Sequence, residues 1–288
     1  KLWNASRYVM MNTEGHDVGL SGEPMTLSLP DRWIISRMQQ TITEAHAALK
    51  QYRFDHYAQT LYDFTWNEFC DWYLELSKPI LTSKDSPAAL LRGTRHTLIN
   101  VLESLLRLLH PIMPFITEEI WQRVAPLAGK TGTTIMLEPY PQAETSKVDN
   151  DAIKQLEWVK NVIVAIRTIR SEMNISPAKQ LPVLLRKGTT FDKDCYEAHQ
   201  KLLFTLAKLE SLTWLEPTAQ PPQSASAFIG ELELFLPMAG FINKEEETAR
   251  LHKEIAKLQK DLVVIENKLQ NPQFVDKAPA PVVEKVRA

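Results

Sequence analysis

Near the C-terminal end, six apolar residues recur at spacings of 4, 3, 4, 3 and 4: Leu251, Ile255, Leu258, Leu262, Ile265 and Leu269. Sustained over residues 244–269, this is a heptad seam, and charged and polar side chains fill the remaining faces. A helix with such a stripe must lay it against another helix. Asn271-Pro272 stops the pattern, Ala278-Pro279 to Pro281 holds a turn open, and Val282, Val283 and Val286 begin a second apolar run that reaches Ala288. Residues 244–288 therefore read as a truncated coiled-coil arm whose return helix is missing. Left alone, the arm is expected to fray or to self-associate between molecules.

The first half has helical periodicity punctuated by proline. Residues 1–12 place Leu2, Ala5, Val9 and Asn12 on one stripe. Asp31 is expected to start a second helix with Trp33, Ile34, Met38, Ile42 and Leu49 inward. Residues 54–76 continue the pattern and are dense in aromatics, with Pro79 following the expected end. Of these rings and the one at residue 3, Trp3, Trp66, Phe69 and Trp72 are assigned to the core, where large aromatics usually lie. Pro87 opens a helix running to His110, Pro111 breaks it, and Pro114 suits the first turn of another ending near Val124. Helices joined by short connections predict an antiparallel bundle over residues 1–149.

After a proline-bearing loop at 127–149 the pattern changes. Residues 151–172 and 192–208 read as helices, and 181–186, 212–215, 225–229 and 232–236 as strands, the last two turning at Gly230-Glu231. Residues 150–243 form a small α+β subdomain on this reading. The fold class is mainly α: a helix bundle, an α+β subdomain and a coiled-coil helix.

Net charge is −2, which argues against a sequence-blind nucleic-acid binder. Charge is unevenly spread, however. Residues 151–187 hold seven Lys/Arg against three Asp/Glu, and residues 188–243 hold three against seven. An anionic partner recognised by shape and bases is compatible with this. Two distant cysteines, Cys70 and Cys195, exclude a disulfide framework and suit the cytoplasm. No apolar run is long enough to span a bilayer, so no membrane partner is expected. The absence of an initiator Met suggests a piece of a larger protein.

No catalytic constellation emerges. Gly129-Lys130-Thr131 lacks the earlier glycine of a phosphate loop, Val124 standing in its place, and follows a helix rather than a strand. Glu118 and Glu119 are adjacent, so they point apart on a helix and cannot flank a bond. His110 reads as a helix-end residue and Cys70 as a packing residue. The histidines and cysteines show no metal-ligand spacing. The residues themselves describe a binding module.

Several segments together resemble one family, the valyl-tRNA synthetases of bacteria. These are Lys1-Leu2-Trp3-Asn4-Ala5-Ser6-Arg7-Tyr8, the aromatic stretch from Phe64 to Glu75, Leu109-His110-Pro111-Ile112-Met113-Pro114-Phe115, and Ile166-Arg167-Thr168-Ile169-Arg170 with Asn174-Ile175-Ser176-Pro177. The terminal heptads, with Asn271-Pro272-Gln273-Phe274-Val275, are similar to the tRNA-binding arm of that family. The resemblance covers the whole chain and implies the anticodon-binding domain of a class I aminoacyl-tRNA synthetase plus the start of its arm. It implies tRNA(Val) as partner and a monomeric parent enzyme, valine–tRNA ligase, which attaches valine using ATP. The family's two nucleotide-binding signatures and its editing domain are absent, so these residues are expected to need no cofactor and to be inactive alone.

The resemblance further implies that Lys1, Asn4, Arg7, Tyr8, Leu74 and Glu75 surround the anticodon, with Tyr8 stacking on a base. Arg167 and Arg170, three apart on a helix, would hold tRNA backbone, and Lys253, Lys257, Lys260 and Lys268 would meet the tRNA elbow. Residues 244–288 hold nine basic and eight acidic side chains, close to ordinary coiled-coil surface. Two other readings remain open. A helical scaffold with a coiled coil for protein interaction would dimerise without RNA affinity. The equivalent region of a leucyl- or isoleucyl-tRNA synthetase would lack the heptad arm and the Lys1–Tyr8 segment.

Overall fold

The computed structural model describes residues 1–238 and, in the C-terminal segment, His252, Ile255, Ala256, Leu258, Gln259, Lys260, Leu262, Val263, Ile265 and Leu269. Helix α1 (Leu2–Thr13) buries Leu2, Ala5, Ser6, Val9 and Thr13 along one stripe. Its buried hydroxyls are satisfied within the helix, Ser6 Oγ donating to the Leu2 carbonyl and Thr13 Oγ1 to that of Val9.

Helix α2 (Leu29–Lys50) starts two residues before the expected Asp31. The reason is a capping box. Ser28 Oγ accepts from the Asp31 N–H, and the Asp31 carboxylate accepts from the Ser28 N–H, with Pro30 in the first turn. Asp31 is fully buried and also accepts from Tyr73 Oη at 2.7 Å and Thr94 Oγ1 at 2.9 Å. Burial pushes its pKa up, opposed by these donors. One carboxylate thus ties together three elements.

The aromatic stretch forms one continuous rod: α3 (Phe54–Asp63), a π-helix (Phe64–Tyr73) and α4 (Leu74–Thr82). At its junction with α4, the Leu74 N–H bonds the Phe69 carbonyl five residues back. Phe64, Phe69 and Leu74 are all buried at that spacing. A 3.6-residue turn would splay them around the axis; a turn bonded five residues apart keeps them on one side. Pro79, expected beyond the end, lies inside α4. Its missing N–H removes one helical bond, yet Leu81 beyond it still packs against the core.

Helices α5 (Ala88–Leu109) and α6 (Pro114–Val124) match their expected limits. Glu103, 2% exposed, fastens them: it accepts from Arg107 Nε at 2.9 Å and from Trp121 Nε1 at 3.0 Å. Gly93 permits the loop before α2 to cross α5, since a Cβ there would meet the Thr26 carbonyl oxygen at 2.0 Å. Short 3-10 turns (Pro126–Ala128, Ile135–Leu137 and Thr145–Lys147) interrupt the loop that follows α6.

Helix α7 (Asn150–Glu172) is capped by Asp149 and packs on α2 as well as on α8 (Thr190–Ala207). Helix α8 begins before the expected Asp192 for the same reason as α2, a capping box between Thr189 and Asp192. Asp192 also accepts from Trp158 Nε1 of α7 at 2.8 Å. The strands β1 (Leu181–Lys187), β2 (Leu209–Trp214), β3 (Ser224–Ile229) and β4 (Leu232–Pro237) form one sheet in the order β2-β1-β4-β3. The parallel pair β1–β2 is bridged by α8, and β3–β4 is a hairpin turning at Gly230, φ +60°. Strand β2 starts three residues before the expected Leu212.

In the arm the described residues are helical, and their seam is open. Ile255, Leu258, Leu262 and Ile265 are 50%, 62%, 57% and 42% exposed. Leu251 lies outside the described residues. Among the described residues, no helix is long and apolar enough to cross a membrane.

Candidate nucleic-acid interface

Helical spacing places Lys1, Asn4 and Tyr8 along one flank of α1, beside the π-helix and α4. Lys1 Nζ bonds Asp71 Oδ1 at 2.6 Å and stands 4.5 Å from the centre of the Trp66 ring. About two helical turns further on, the Tyr8 hydroxyl lies 3.1 Å from Ser77 Oγ. The Ser77 proton goes to the Leu74 carbonyl, so Tyr8 is the donor. Burial raises the Tyr8 pKa, and the phenol stays neutral and able to donate at pH 7. Lys78 Nζ sits 5.9 Å from the Tyr8 ring centre and pairs with Glu75.

The result is a half-buried aromatic ring fixed at its hydroxyl, rimmed by one cation and one carboxylate. Asn4, one helical turn before Tyr8, is exposed, as are Glu75 and the neighbouring Arg7. The Lys78–Glu75 pair is open to water and contributes at most about 1 kcal/mol, so either partner is cheaply exchanged for a ligand group.

The structure buries two of the expected site residues. Leu74 is only 7% exposed and belongs to the core beneath the rim, because the five-residue spacing of the π-helix turns it inward with Phe69. Arg170 is 8% exposed, and its guanidinium donates to the carbonyls of Ser176 and Lys179, both at 2.8 Å, and Ala207 at 3.1 Å. It staples the end of α7 to the following loop and to α8, with three of its five N–H donors committed to carbonyls. Arg167, three residues earlier, is exposed, with its guanidinium 5.6 Å from the Trp72 ring centre.

The core assignment of the aromatics also needs revision. Phe69 is fully buried, but Trp3 is 44% exposed, since position 3 of α1 faces away from the stripe of Leu2, Ala5 and Val9. Trp66 and Trp72 are half-buried and carry cations on their rings. Ser77, Lys78 and Asp71 were missed. The pairing of Glu75 with Lys78, three apart on a helix, was the available signal. In the arm, Lys260 is helical and exposed, whereas Lys253, Lys257 and Lys268 lie outside the described residues.

The residues screened for chemistry have structural partners. Glu118 is penalised by burial, yet hydrogen bonds from Gln122, Thr134 and the Ile135 N–H hold its pKa below the ordinary value. His110 Nδ1 lies 2.8 Å from Thr117 Oγ1 at the α5–α6 junction. Burial pushes the Cys70 thiol up to about 11, away from thiolate chemistry. Among the described residues, no group of three or more His, Cys, Asp or Glu side chains could hold a metal.

Residues 31–185, more than half of the chain, match the family model of the anticodon-binding domain of tRNA ligase, and the chain belongs to that family. Residues 243–288 match a second model, the valyl tRNA synthetase tRNA binding arm. The order of the two is that of the C-terminal region of a valyl-tRNA synthetase, a tRNA-binding region of an aminoacyl-tRNA ligase. Both matched domains are non-catalytic parts of that ligase. The first match begins at Asp31, so α1 precedes it, while the π-helix, α4 and α7 lie within it.

Proposed function

We propose that the α1–α4 face reads the anticodon of tRNA(Val) for a valine–tRNA ligase whose ATP-dependent chemistry resides in a separate catalytic domain. The observation that carries this is the Tyr8 ring, half-buried, fixed through Ser77 and flanked by Lys78 and Glu75, with exposed Asn4 one turn earlier on α1. Single-stranded loop bases are recognised by stacking and by hydrogen bonds to their edges. Valine codons are GUN, so the cognate anticodon has A in the centre and C third. Both bases carry an exocyclic amino group that donates, and the Glu75 carboxylate accepts. Asn4 offers a donor and an acceptor, and Arg7 and Lys1 supply charge toward phosphate.

Exposed Arg167 and Lys260 are suited to backbone phosphates, where they add affinity without sequence information. Titration with a valine tRNA transcript and an anticodon-substituted copy at one salt concentration tests the reading. Tighter binding to the cognate transcript is expected. Equal binding to both would remove the anticodon claim and leave backbone recognition.

A further inference from the structure

A second aromatic surface lies along the same flank of α1. Tyr62 of α3 and Trp66 of the π-helix are four residues apart and stack in parallel, with ring centres 5.2 Å apart and planes 13° from one another. Tyr62 is 50% exposed. The Lys1 amine stands 4.5 Å from the Trp66 ring centre and is anchored by Asp71. A stacked, water-exposed ring pair with a fixed cation has the composition of a nucleobase platform: a π-face for the base and positive charge for its phosphate.

Its position ties it to the Tyr8 site. Lys1 and Tyr8 are seven residues apart on one helix, about 10 Å at 1.5 Å per residue. That is about three bases at the ~3.4 Å spacing along a strand. A stacked strand with one base on Tyr8 therefore reaches the Lys1 end of α1 after about three nucleotides, and the Trp66–Tyr62 pair adjoins Lys1 there.

We propose that Tyr62, backed by Trp66, is a second stacking platform that takes an unpaired loop nucleobase outside the anticodon. The proposal rests on the anticodon reading of the Tyr8 face. It assigns Tyr62 affinity without anticodon discrimination, because every base has a π-face.

The test uses the full chain, a valine tRNA transcript and its anticodon-substituted copy. Tyr62→Ala is expected to weaken both by the same factor, about tenfold, and Tyr62→Phe to bind like the unaltered chain. An abasic substitution at each unpaired loop position outside the anticodon identifies the stacked base. At one position it should weaken the unaltered chain and abolish the penalty of Tyr62→Ala. Unchanged binding by a folded Tyr62→Ala variant, with Tyr8→Ala still impaired, overturns the platform and leaves the anticodon reading intact. A Tyr62→Ala penalty that persists at every abasic position also overturns it. If the unaltered chain fails to distinguish the two transcripts, the anticodon reading itself fails.

Discussion

Two basic segments look alike on paper and differ in the fold. On α1, Lys1 and Arg7 border an open flank, and Tyr8 between the helices is only half covered. On α7, Arg167 and Arg170 share a side of the helix, but the second is sealed under the loop at 174–179 and the end of α8. A guanidinium that satisfies three carbonyls is holding backbone together, whereas one standing in water is free for a phosphate. Spacing along a helix tells which side chains are neighbours. Only the tertiary path of the next segment tells whether they are covered.

The sharpest way to break this contrast is Arg170→Ala. It removes the guanidinium bonds to the carbonyls of Ser176, Lys179 and Ala207, of which Ser176 keeps the Lys179 N–H, and should cost about 3 kcal/mol of stability. Denaturant titration would show it, while tRNA affinity measured where the variant is still folded should be unchanged. A stable variant with weakened tRNA binding would return Arg170 to the interface.

Tyr8→Ala should behave in the opposite manner. Thermal stability falls modestly, and affinity for the cognate transcript drops by about tenfold, corresponding to a base stack of roughly 1–3 kcal/mol. Tyr8→Phe removes only the bond to Ser77 and should lose less. A smaller effect separates the sheet from the helices. Lys187 and Arg186 hydrogen-bond Glu233 and hold its pKa below the ordinary 4.5. Because its folded value is depressed, its contribution is present above pH 4.5 and is lost as pH falls through the folded value. The stability difference between the unaltered chain and Glu233→Gln should therefore be largest near neutral pH and shrink in acid. Smallest of all, Arg7→Ala should weaken binding slightly and reduce the salt dependence by about one phosphate contact.

Much of the architecture was legible because helices and strands leave a period in the apolar residues. Prolines at 87, 111 and 114 marked the limits of α5 and α6, and Gly230 marked the hairpin. The helix starts at Leu29 and Thr190 were missed because a capping box includes its third residue, so Asp31 and Asp192 looked like the beginning. The π-helix was invisible for another reason: its hydrogen-bond pattern follows from burying Phe64, Phe69 and Leu74 together, a tertiary demand. That same demand turned Leu74 inward while leaving Glu75 exposed. The family motifs led to α1 and α4, but the partners that fix Tyr8, Ser77 and Lys78, required the packed structure.

The central claim is that anticodon discrimination resides at Tyr8 and its rim. Its most direct test is the ratio of affinities for cognate and anticodon-substituted valine tRNA, measured for the unaltered chain and for Tyr8→Ala. The account predicts a ratio well above one that collapses toward one in the variant, with Arg170→Ala retaining the full ratio while folded. A ratio that survives Tyr8→Ala unchanged would place the discriminating contacts elsewhere and contradict it.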